Sequence, residues 1–294
     1  MDSSQMPEDD SLHKCDSFAS QHELTYHKQD LLISRTTHPQ DTVIKIKDVT
    51  IGGNQPVIIA GPCSVESEEC LLSVAQELSK HDVKILRGGA FKPRTSPYSF
   101  QGLGNIALEY LHNISNRCQM ISICEVMDPR DIELTSNYID ILQIGSRNMA
   151  NYSLLREVSH ISKPILLKRG MGSTIEEFLY AAEYILSGGN SEVILCERGI
   201  RTFESQTRFT LDLAAVAILK KETHLPIIAD VSHSSGRRDL VIPLSRASLA
   251  VGADGIMVEV HPDPPNALSD SNQQINFLEF HELLANILPF MKED

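Results

Sequence analysis

Five basic side chains follow short apolar segments in this chain of 294 residues, whose net charge is −13. They are Arg87, Lys92, Arg147, Lys168 and Arg198. A guanidinium group binds phosphate or carboxylate through paired hydrogen bonds, and an ammonium group supplies a point charge. Five cations gathered in one cavity would repel each other unless a multiply charged anion were bound. They therefore predict a site for small, strongly anionic substrates, provided that the fold brings them together.

A second set of residues has side chains that can bind a divalent metal: Cys63, His233, Glu259 and Asp270. Their thiol, imidazole and carboxylate donors suit Mn²⁺, Fe²⁺, Co²⁺ or Zn²⁺. Their spacing is not a zinc-finger pattern, and a single buried Cys or His is more often structural. Only a shared position at the ends of strands favours a metal site, at which the ion would act as a Lewis acid.

The segments before these residues predict the fold. Eight short apolar runs, from "PVIIAG" to "GIMVEVH", alternate with segments of helical periodicity. Such runs are typical of strands that are covered on both faces in a parallel sheet. Eight β–α units in about 240 residues match an α/β fold of the (β/α)₈ (TIM) barrel type, with an open doubly wound sheet as the alternative. We favour the barrel, because it gathers the polar strand ends around one mouth.

Three local patterns complete the prediction. "GSTIEEFLYAAEYILSGG" indicates a helix that starts with a capping box of Ser173 and Glu176. "TVIKIKDVTIGGN" alternates apolar and polar residues before two glycines, which indicates a short β-hairpin. Residues 1–40 are polar, acidic and without periodicity, which indicates a flexible extension. Residues 41–294 then form the catalytic barrel domain with its hairpin.

Composition excludes some classes of protein. The excess of acidic residues argues against nucleic-acid binding, which needs a basic face. No apolar run approaches the roughly 20 residues that span a bilayer. The acidic start of the chain resembles no targeting segment. Several of the six cysteines lie in apolar runs, as expected of buried thiols in a reducing compartment. These features predict a cytoplasmic protein.

Four stretches closely resemble 3-deoxy-7-phosphoheptulonate (DAHP) synthase, in its bacterial and archaeal type I-beta branch. They are "AGPCSVES", "LRGGAFKPRTSPYSFQGLG", "ILCERGIRTFE" and "SHSSGRRDLVIPLSRA" with the following "GADGIMVEVHPDP" and "ALSD". The resemblance implies condensation of phosphoenolpyruvate with erythrose 4-phosphate, the first step of the shikimate pathway to chorismate and aromatic amino acids. It also implies a metal-dependent transferase that forms a homodimer or homotetramer.

The resemblance further implies roles for individual residues. The metal ligands would be Cys63, His233, Glu259 and Asp270. The phosphoenolpyruvate carboxylate would lie near Arg87, Lys92 and Lys168. Its phosphate would lie between Arg147 and Arg198, beside the backbone of Gly145 and Ser146. Arg94 and Thr95 would contact erythrose 4-phosphate. Glu125, Lys92 and His233 are the candidates for catalytic roles, and Glu125 with a metal-bound water would position the attacking water or move protons.

Two positions depart from the family pattern. Val231 stands in "DVSH" where the family usually has Pro before Ser, and Ser271 follows "ALSD" where Gly is usual. We expect altered geometry at the end of the seventh predicted strand, which carries Val231, and altered mobility of the loop that carries Asp270. Metal binding should persist, because Asp230 and His233 are both present.

Two other functions compete with this interpretation. One is 3-deoxy-manno-octulosonate 8-phosphate synthase, which uses arabinose 5-phosphate and typically has "KANR" where this chain has "KPRTS". The other is a catalytically silent barrel that binds phosphosugars or a partner enzyme. The segment before residue 41 also has too few large apolar residues to form a pocket for an aromatic amino acid. We therefore expect no feedback inhibition through a regulatory domain within it.

Overall fold

Eight parallel strands close into a barrel in the computed structural model, which describes residues 30–92, 96 and 98–291. In chain order, the strands of this described part are β1 (Ile44–Ile46), β2 (Val49–Ile51), β3 (Val57–Gly61), β4 (Ile85–Arg87), β5 (Ile121–Val126), β6 (Ile141–Ile144), β7 (Ile165–Lys168), β8 (Val193–Glu197), β9 (Ile227–Asp230) and β10 (Gly255–Glu259). β3 to β10 pair in sequence, and β10 returns to pair with β3. The predicted (β/α)₈ barrel is confirmed, and all eight apolar runs form its strands.

Helices follow the barrel strands. In the described residues they are α1 (Glu68–Lys80), α2 (Asn105–Arg117), α3 (Ile132–Tyr138), α4 (Tyr152–Val158), α5 (Ile175–Ser187), α6 (Leu213–Glu222), α7 (Val231–Ser235), α8 (Val241–Ala250) and α9 (Phe277–Ile287). α7 is a short additional helix that begins directly at the end of β9. None of the described helices is both long enough and apolar enough to cross a bilayer.

The start of α5 differs from the sequence prediction by one residue. The hydroxyl of Thr174 accepts a hydrogen bond from the Glu177 backbone N–H, and the Glu177 carboxylate accepts one from the Thr174 backbone. "GSTIEE" contains this pattern in two overlapping registers. Ser173 lies in the preceding turn, where its N–H donates to the carbonyl of Gly170. The predicted box of Ser173 and Glu176 is therefore wrong, because the helix begins at Ile175.

The hairpin of β1 and β2 covers the N-terminal end of the barrel. Ile44 and Ile51 are buried in one core cluster with aliphatic side chains from the barrel strands, such as Ile59 of β3 and Met257 of β10. Lys47, in the turn between β1 and β2, donates to the carbonyl of Met120, the residue before β5. The predicted hairpin therefore closes the bottom of the barrel and leaves only its C-terminal end open to substrates.

Residues before the hairpin also contact the barrel. The backbone N–H groups of Leu32 and Ile33 both donate to the Glu183 carboxylate on α5, at 3.0 Å. Arg35 donates to the carbonyl of Lys220 at the end of α6. These contacts hold residues 32–35 against two helices, whereas the sequence assigned residues 30–40 to the extension. Residues 1–29 of that extension lie outside the described residues.

Candidate active site

A cavity of about 330 Å³ opens at the C-terminal end of the barrel. Its lining combines the ends of the strands with the loops that follow them: Lys92, Ser96, Ser99, Glu125, Gly145, Ser146, Arg147, Lys168, Met171, Arg198, Arg208, Phe209, His233 and Asp270. Four of the five predicted cations lie in this lining, and Arg87 lies directly below it, bonded to Glu259. The barrel therefore gathers the predicted cations around one mouth.

Two of these cations are paired with buried carboxylates. Arg87 Nη1 lies 2.6 Å from Glu259 Oε1, and Lys168 Nζ lies 2.5 Å from Asp230 Oδ2. All four side chains are almost completely buried. The predicted repulsion among five cations is thus partly compensated within the protein. Arg147 and Arg198 line the cavity without such a carboxylate partner among the described residues, so the anion-binding capacity is concentrated on their side.

Arg87 has hydrogen-bonding capacity left over. Its Nε is buried and has no hydrogen-bond partner in the described part of the chain. A buried donor without an acceptor costs about 1–3 kcal/mol, so native proteins rarely leave one unused. An anionic ligand beside Arg87 and Lys92 would supply the missing acceptor.

The four predicted metal ligands converge beside the cavity. Their ligand atoms all lie within 4.8 Å of one another. Cys63 Sγ lies 3.1 Å from Asp270 Oδ2, and His233 Nε2 lies 3.2 Å from Glu259 Oε1. One thiol, one imidazole and two carboxylates form a mixed donor set that suits a divalent transition metal. These residues therefore fit the metal that the sequence predicts.

Neighbouring side chains orient these ligands. The His233 ring places Nδ1 2.8 Å from Asp230 Oδ2, which directs Nε2 toward the cluster. Gln273 Nε2 donates to Glu259 Oε2 at 2.6 Å. A carboxylate behind a ligating imidazole fixes its tautomer and raises its affinity for metal. Asp230 could be noted from the sequence, whereas Gln273, which lies three residues after Asp270 in a loop, could not.

Protonation of the cluster follows from its burial. Burial, reinforced by the Glu259 carboxylate, raises the pKa of the Cys63 thiol to about 12. The protonated thiol donates to Asp270. Burial also lowers the pKa of the His233 ring against the attraction of Asp230 and Glu259, so its neutral form is favoured. A metal entering the site must therefore displace the thiol proton, whereas the imidazole is already in its ligating form.

Glu125 reaches the cavity from β5. Its Oε2 accepts a hydrogen bond of 3.3 Å from Gln143 on the next strand. Gly145 lies against this carboxylate, and a Cβ at this glycine would come within 1.9 Å of Glu125 Oε1. A side chain at residue 145 would displace Glu125, so the glycine is needed for its position. Glu125, Gly145, Ser146 and Arg147 are together in the lining.

The loop after β8 contributes residues that the sequence analysis missed. Arg208 Nη1 lies 3.1 Å from Gln273 Oε1 and 3.5 Å from Asp270 Oδ1. The Arg198 guanidinium carbon lies 4.1 Å from the centroid of the Phe209 ring. This cation–π contact helps to hold Arg198 in place. Arg208 lies ten residues after Arg198, and only the fold of the loop brings it back to the mouth of the barrel.

The structure describes the surroundings of Val231 and Ser271, the two departures from the family pattern, and only part of the motif "KPRTS". Val231 is fully buried in the hydrophobic core, and the Asp230 side chain caps α7 by accepting from the His233 backbone. Asp270, before Ser271, has a φ of +45°, a left-handed backbone that is strained for a residue with a side chain. Arg94 and Thr95 lie outside the described residues, although Ser96 and Ser99 of the same loop line the cavity.

The described residues thus form a (β/α)₈ barrel enzyme fold with a cationic cavity and a cluster of possible metal ligands at its C-terminal end. The model of the DAHP synthetase I family matches residues 37–292. The chain is 58% identical over 256 residues to the phospho-2-dehydro-3-deoxyheptonate aldolase of Thermotoga maritima, covering 87% of this chain and 76% of that protein. The chain belongs to the DAHP synthetase I family.

Other similarities are consistent with this assignment. A crystal structure of the Thermotoga maritima DAHP synthase superposes with a TM-score of 0.86 at 56% identity, over 88% of this chain and 76% of that one. A truncated form of that synthase gives 0.83 at 52% identity, over 88% of this chain and 95% of that one. The 2-dehydro-3-deoxyphosphooctonate aldolase of Syntrophotalea carbinolica is 32% identical, over 83% of this chain and 94% of that protein.

Proposed function

We propose that this chain condenses phosphoenolpyruvate with erythrose 4-phosphate and water, giving 3-deoxy-D-arabino-heptulosonate 7-phosphate and phosphate. The observation that carries the proposal is the convergence of Cys63, His233, Glu259 and Asp270 beside a cationic cavity, in a chain 58% identical to the Thermotoga phosphoheptonate aldolase. This reaction would be the first step of the shikimate pathway.

Phosphoenolpyruvate would bind with its two anionic groups on different cations. Arg147 and Arg198 would hold the phosphate, because both line the cavity and neither has a carboxylate partner among the described residues. The backbone of Gly145 and Ser146 would assist them. The carboxylate would bind near Arg87 and Lys92, where the Arg87 Nε lacks an acceptor. Lys168, paired with Asp230, would add positive charge beside this carboxylate.

Erythrose 4-phosphate would occupy the side of the mouth formed by the loop after β4. We assign Arg94 and Thr95 to this aldose on the strength of the family motif "KPRTS". The presence of Ser96 and Ser99 in the lining supports the assignment, because Ser96 is the last residue of the motif and Ser99 lies three residues after it. Holding two phosphorylated molecules in one cationic cavity offsets their mutual repulsion and orients the reacting carbons.

A divalent ion at Cys63, His233, Glu259 and Asp270 would polarise the aldehyde oxygen of the aldose as a Lewis acid. His233 would take part in catalysis as a ligand, with Asp230 holding its ring in the ligating orientation. The side chains themselves admit Mn²⁺, Fe²⁺, Co²⁺ or Zn²⁺.

We assign the proton transfers to Lys92 and Glu125, which both line the cavity. As C3 of phosphoenolpyruvate bonds to the aldehyde carbon, Lys92 would protonate the new alkoxide; its Nζ lies 2.9 Å from Cys63 Sγ and lines the cavity. Water then adds at C2, and Glu125 would take one of its protons. Collapse of the resulting phosphohemiketal breaks the bond between C2 and the phosphate oxygen. The remaining hydroxyl proton leaves with phosphate, and the ketone forms.

Phosphate release from phosphoenolpyruvate tests the proposal. We expect release with erythrose 4-phosphate, loss of it after chelation and recovery when a divalent metal is added. Phosphate release with arabinose 5-phosphate but not with erythrose 4-phosphate would instead identify the octulosonate 8-phosphate synthase reaction. Absence of release with every aldose and metal would indicate a silent phosphosugar-binding barrel. We also propose a homodimer or homotetramer, which light scattering would measure.

A further inference from the structure

A second group of metal-ligating side chains lies at the opposite end of the barrel. Glu77 and His81 come from the end of α1, and His281 comes from α9. One ligand atom from each lies within 4.8 Å of the others. The two histidines line a surface pocket together with Val49 of the hairpin and Ile85 at the start of β4, which places the group at the N-terminal end.

The three donors are already held near each other. Glu77 Oε1 lies 2.6 Å from His281 Nε2 and 3.8 Å from His81 Nε2. Zinc bonds of about 2.0–2.1 Å place neighbouring ligand atoms of a tetrahedral site roughly 3.3 Å apart. To reach this distance, the Glu77–His281 separation must widen and the Glu77–His81 separation must narrow, each by less than about 1 Å. Glu77 and His81 are four residues apart, so they share one face of the helix.

The two types of side chain differ in a way that suits a metal. The Glu77 side chain is only 11% exposed, which fixes the carboxylate between the helices. The rings of His81 and His281 are 34% and 40% exposed, so a metal can reach them from solvent. Lys80 Nζ donates to Glu77 Oε2 at 2.7 Å, whereas both histidines face Oε1.

The geometry points to a second divalent-metal site, formed by Glu77, His81 and His281, that would join α1 to α9 at the bottom of the barrel. Two imidazoles and one carboxylate suit Zn²⁺, Co²⁺ or Ni²⁺ rather than Mg²⁺ or Ca²⁺. A three-residue set leaves a fourth position for water. Because the ligands come from the first and last helices of the barrel, the bound ion would restrain the two ends of the barrel chain.

Metal stoichiometry tests this site. Chelator-treated, full-length protein without affinity-tag histidines would be equilibrated with Zn²⁺ by dialysis. We expect His281→Gln and His81→Gln each to bind one equivalent fewer than the unmodified protein. Glutamine at 281 can still donate to Glu77, which preserves the helix contact. His160→Gln is the matched control, because His160 is an exposed histidine outside both clusters, and it should lose nothing.

Equal stoichiometry in the unmodified protein and His281→Gln would overturn the proposal and leave the Glu77–His281 hydrogen bond as a structural contact only. Cobalt separates this result from a failure of the proposed function. The thiolate-to-cobalt charge-transfer band of Cys63 should persist in His281→Gln while one equivalent is lost. Absence of that band from every protein would count against the catalytic cluster, without changing the stoichiometric comparison.

Discussion

Replacing Asp230 by Asn tests how the barrel orients His233, a proposed metal ligand. The carboxylate is completely buried and serves three partners: Lys168 Nζ at 2.5 Å, His233 Nδ1 at 2.8 Å and the His233 backbone N–H at 2.9 Å. An amide can keep the backbone contact through its oxygen. Its NH₂ group cannot accept from the Lys168 ammonium, which would remain buried without a counter-charge.

Two magnitudes follow from these contacts. Removing one partner of a buried ion pair costs about 3–5 kcal/mol of unfolding free energy. Losing the carboxylate behind a ligating imidazole typically lowers metal affinity by roughly 10- to 100-fold. We therefore expect Asp230→Asn to unfold at lower urea concentration and to bind a divalent metal at the proposed catalytic site more weakly. Urea titration and competition with a metal chelator would measure the two effects.

Asp254→Asn is the matched control. Asp254 lies just before β10 at the bottom of the barrel, accepts from Lys220 at 2.9 Å and from the Ile227 backbone at 2.7 Å, and touches none of the catalytic ligands. It should lower stability and leave metal affinity unchanged. If Asp230→Asn bound the metal as tightly as the unmodified protein, the orientation of His233 by Asp230 would be refuted.

Four further predictions address the site and the scaffold. Because the Cys63 thiol has a pKa of about 12, metal binding should release its proton. The metal affinity, measured by competition with a chelator, should therefore rise roughly tenfold per pH unit near neutrality. Cys63→Ser should flatten this pH dependence and abolish turnover. Arg94→Ala should raise the KM for erythrose 4-phosphate more than that for phosphoenolpyruvate, and equal effects in steady-state kinetics would contradict its assignment to the aldose. Ile51→Ala should cost about 2–5 kcal/mol in urea unfolding with KM unchanged, since Ile51 is fully buried in the hairpin away from the cavity. Removing residues 1–30 should leave kcat and KM nearly unchanged; inhibition by an aromatic amino acid that disappears with this segment would show it to be regulatory.

The barrel and most of its mouth could be predicted because they depend on local periodicity. A polar residue stands at the end of each apolar run or within three residues of it, and parallel strands present those ends on one side. Arg147, Lys168 and Arg198 could therefore be grouped from the sequence. Charge pairing could not be predicted in the same way. Arg87 and Glu259 are 172 residues apart, and only closure of the barrel shows that each compensates the other.

Loop residues were the other limit. Arg208 and Gln273 reach the site from turns whose course depends on tertiary contacts, and no sequence period marks them. The capping box of α5 failed for a different reason, because two overlapping motifs differ by one residue and only helix packing selects between them. Residues 32–35 show no periodicity, because individual hydrogen bonds and the single buried side chain of Ile33, rather than a repeated apolar face, attach them to the barrel.

The pairing of β3 with β10 determines when the barrel can close during synthesis of the chain. Gly255 pairs with Val57, so the first barrel strand leaves the ribosome long before its second neighbour exists. Until then the growing sheet has an unpaired edge on β3, and such edges readily pair with other chains. Ile51 of the hairpin is made earlier still, yet it shares its core cluster with Met257 of the last strand. We therefore expect the nascent chain to keep this aggregation-prone edge until β10 has left the ribosome, near the end of synthesis.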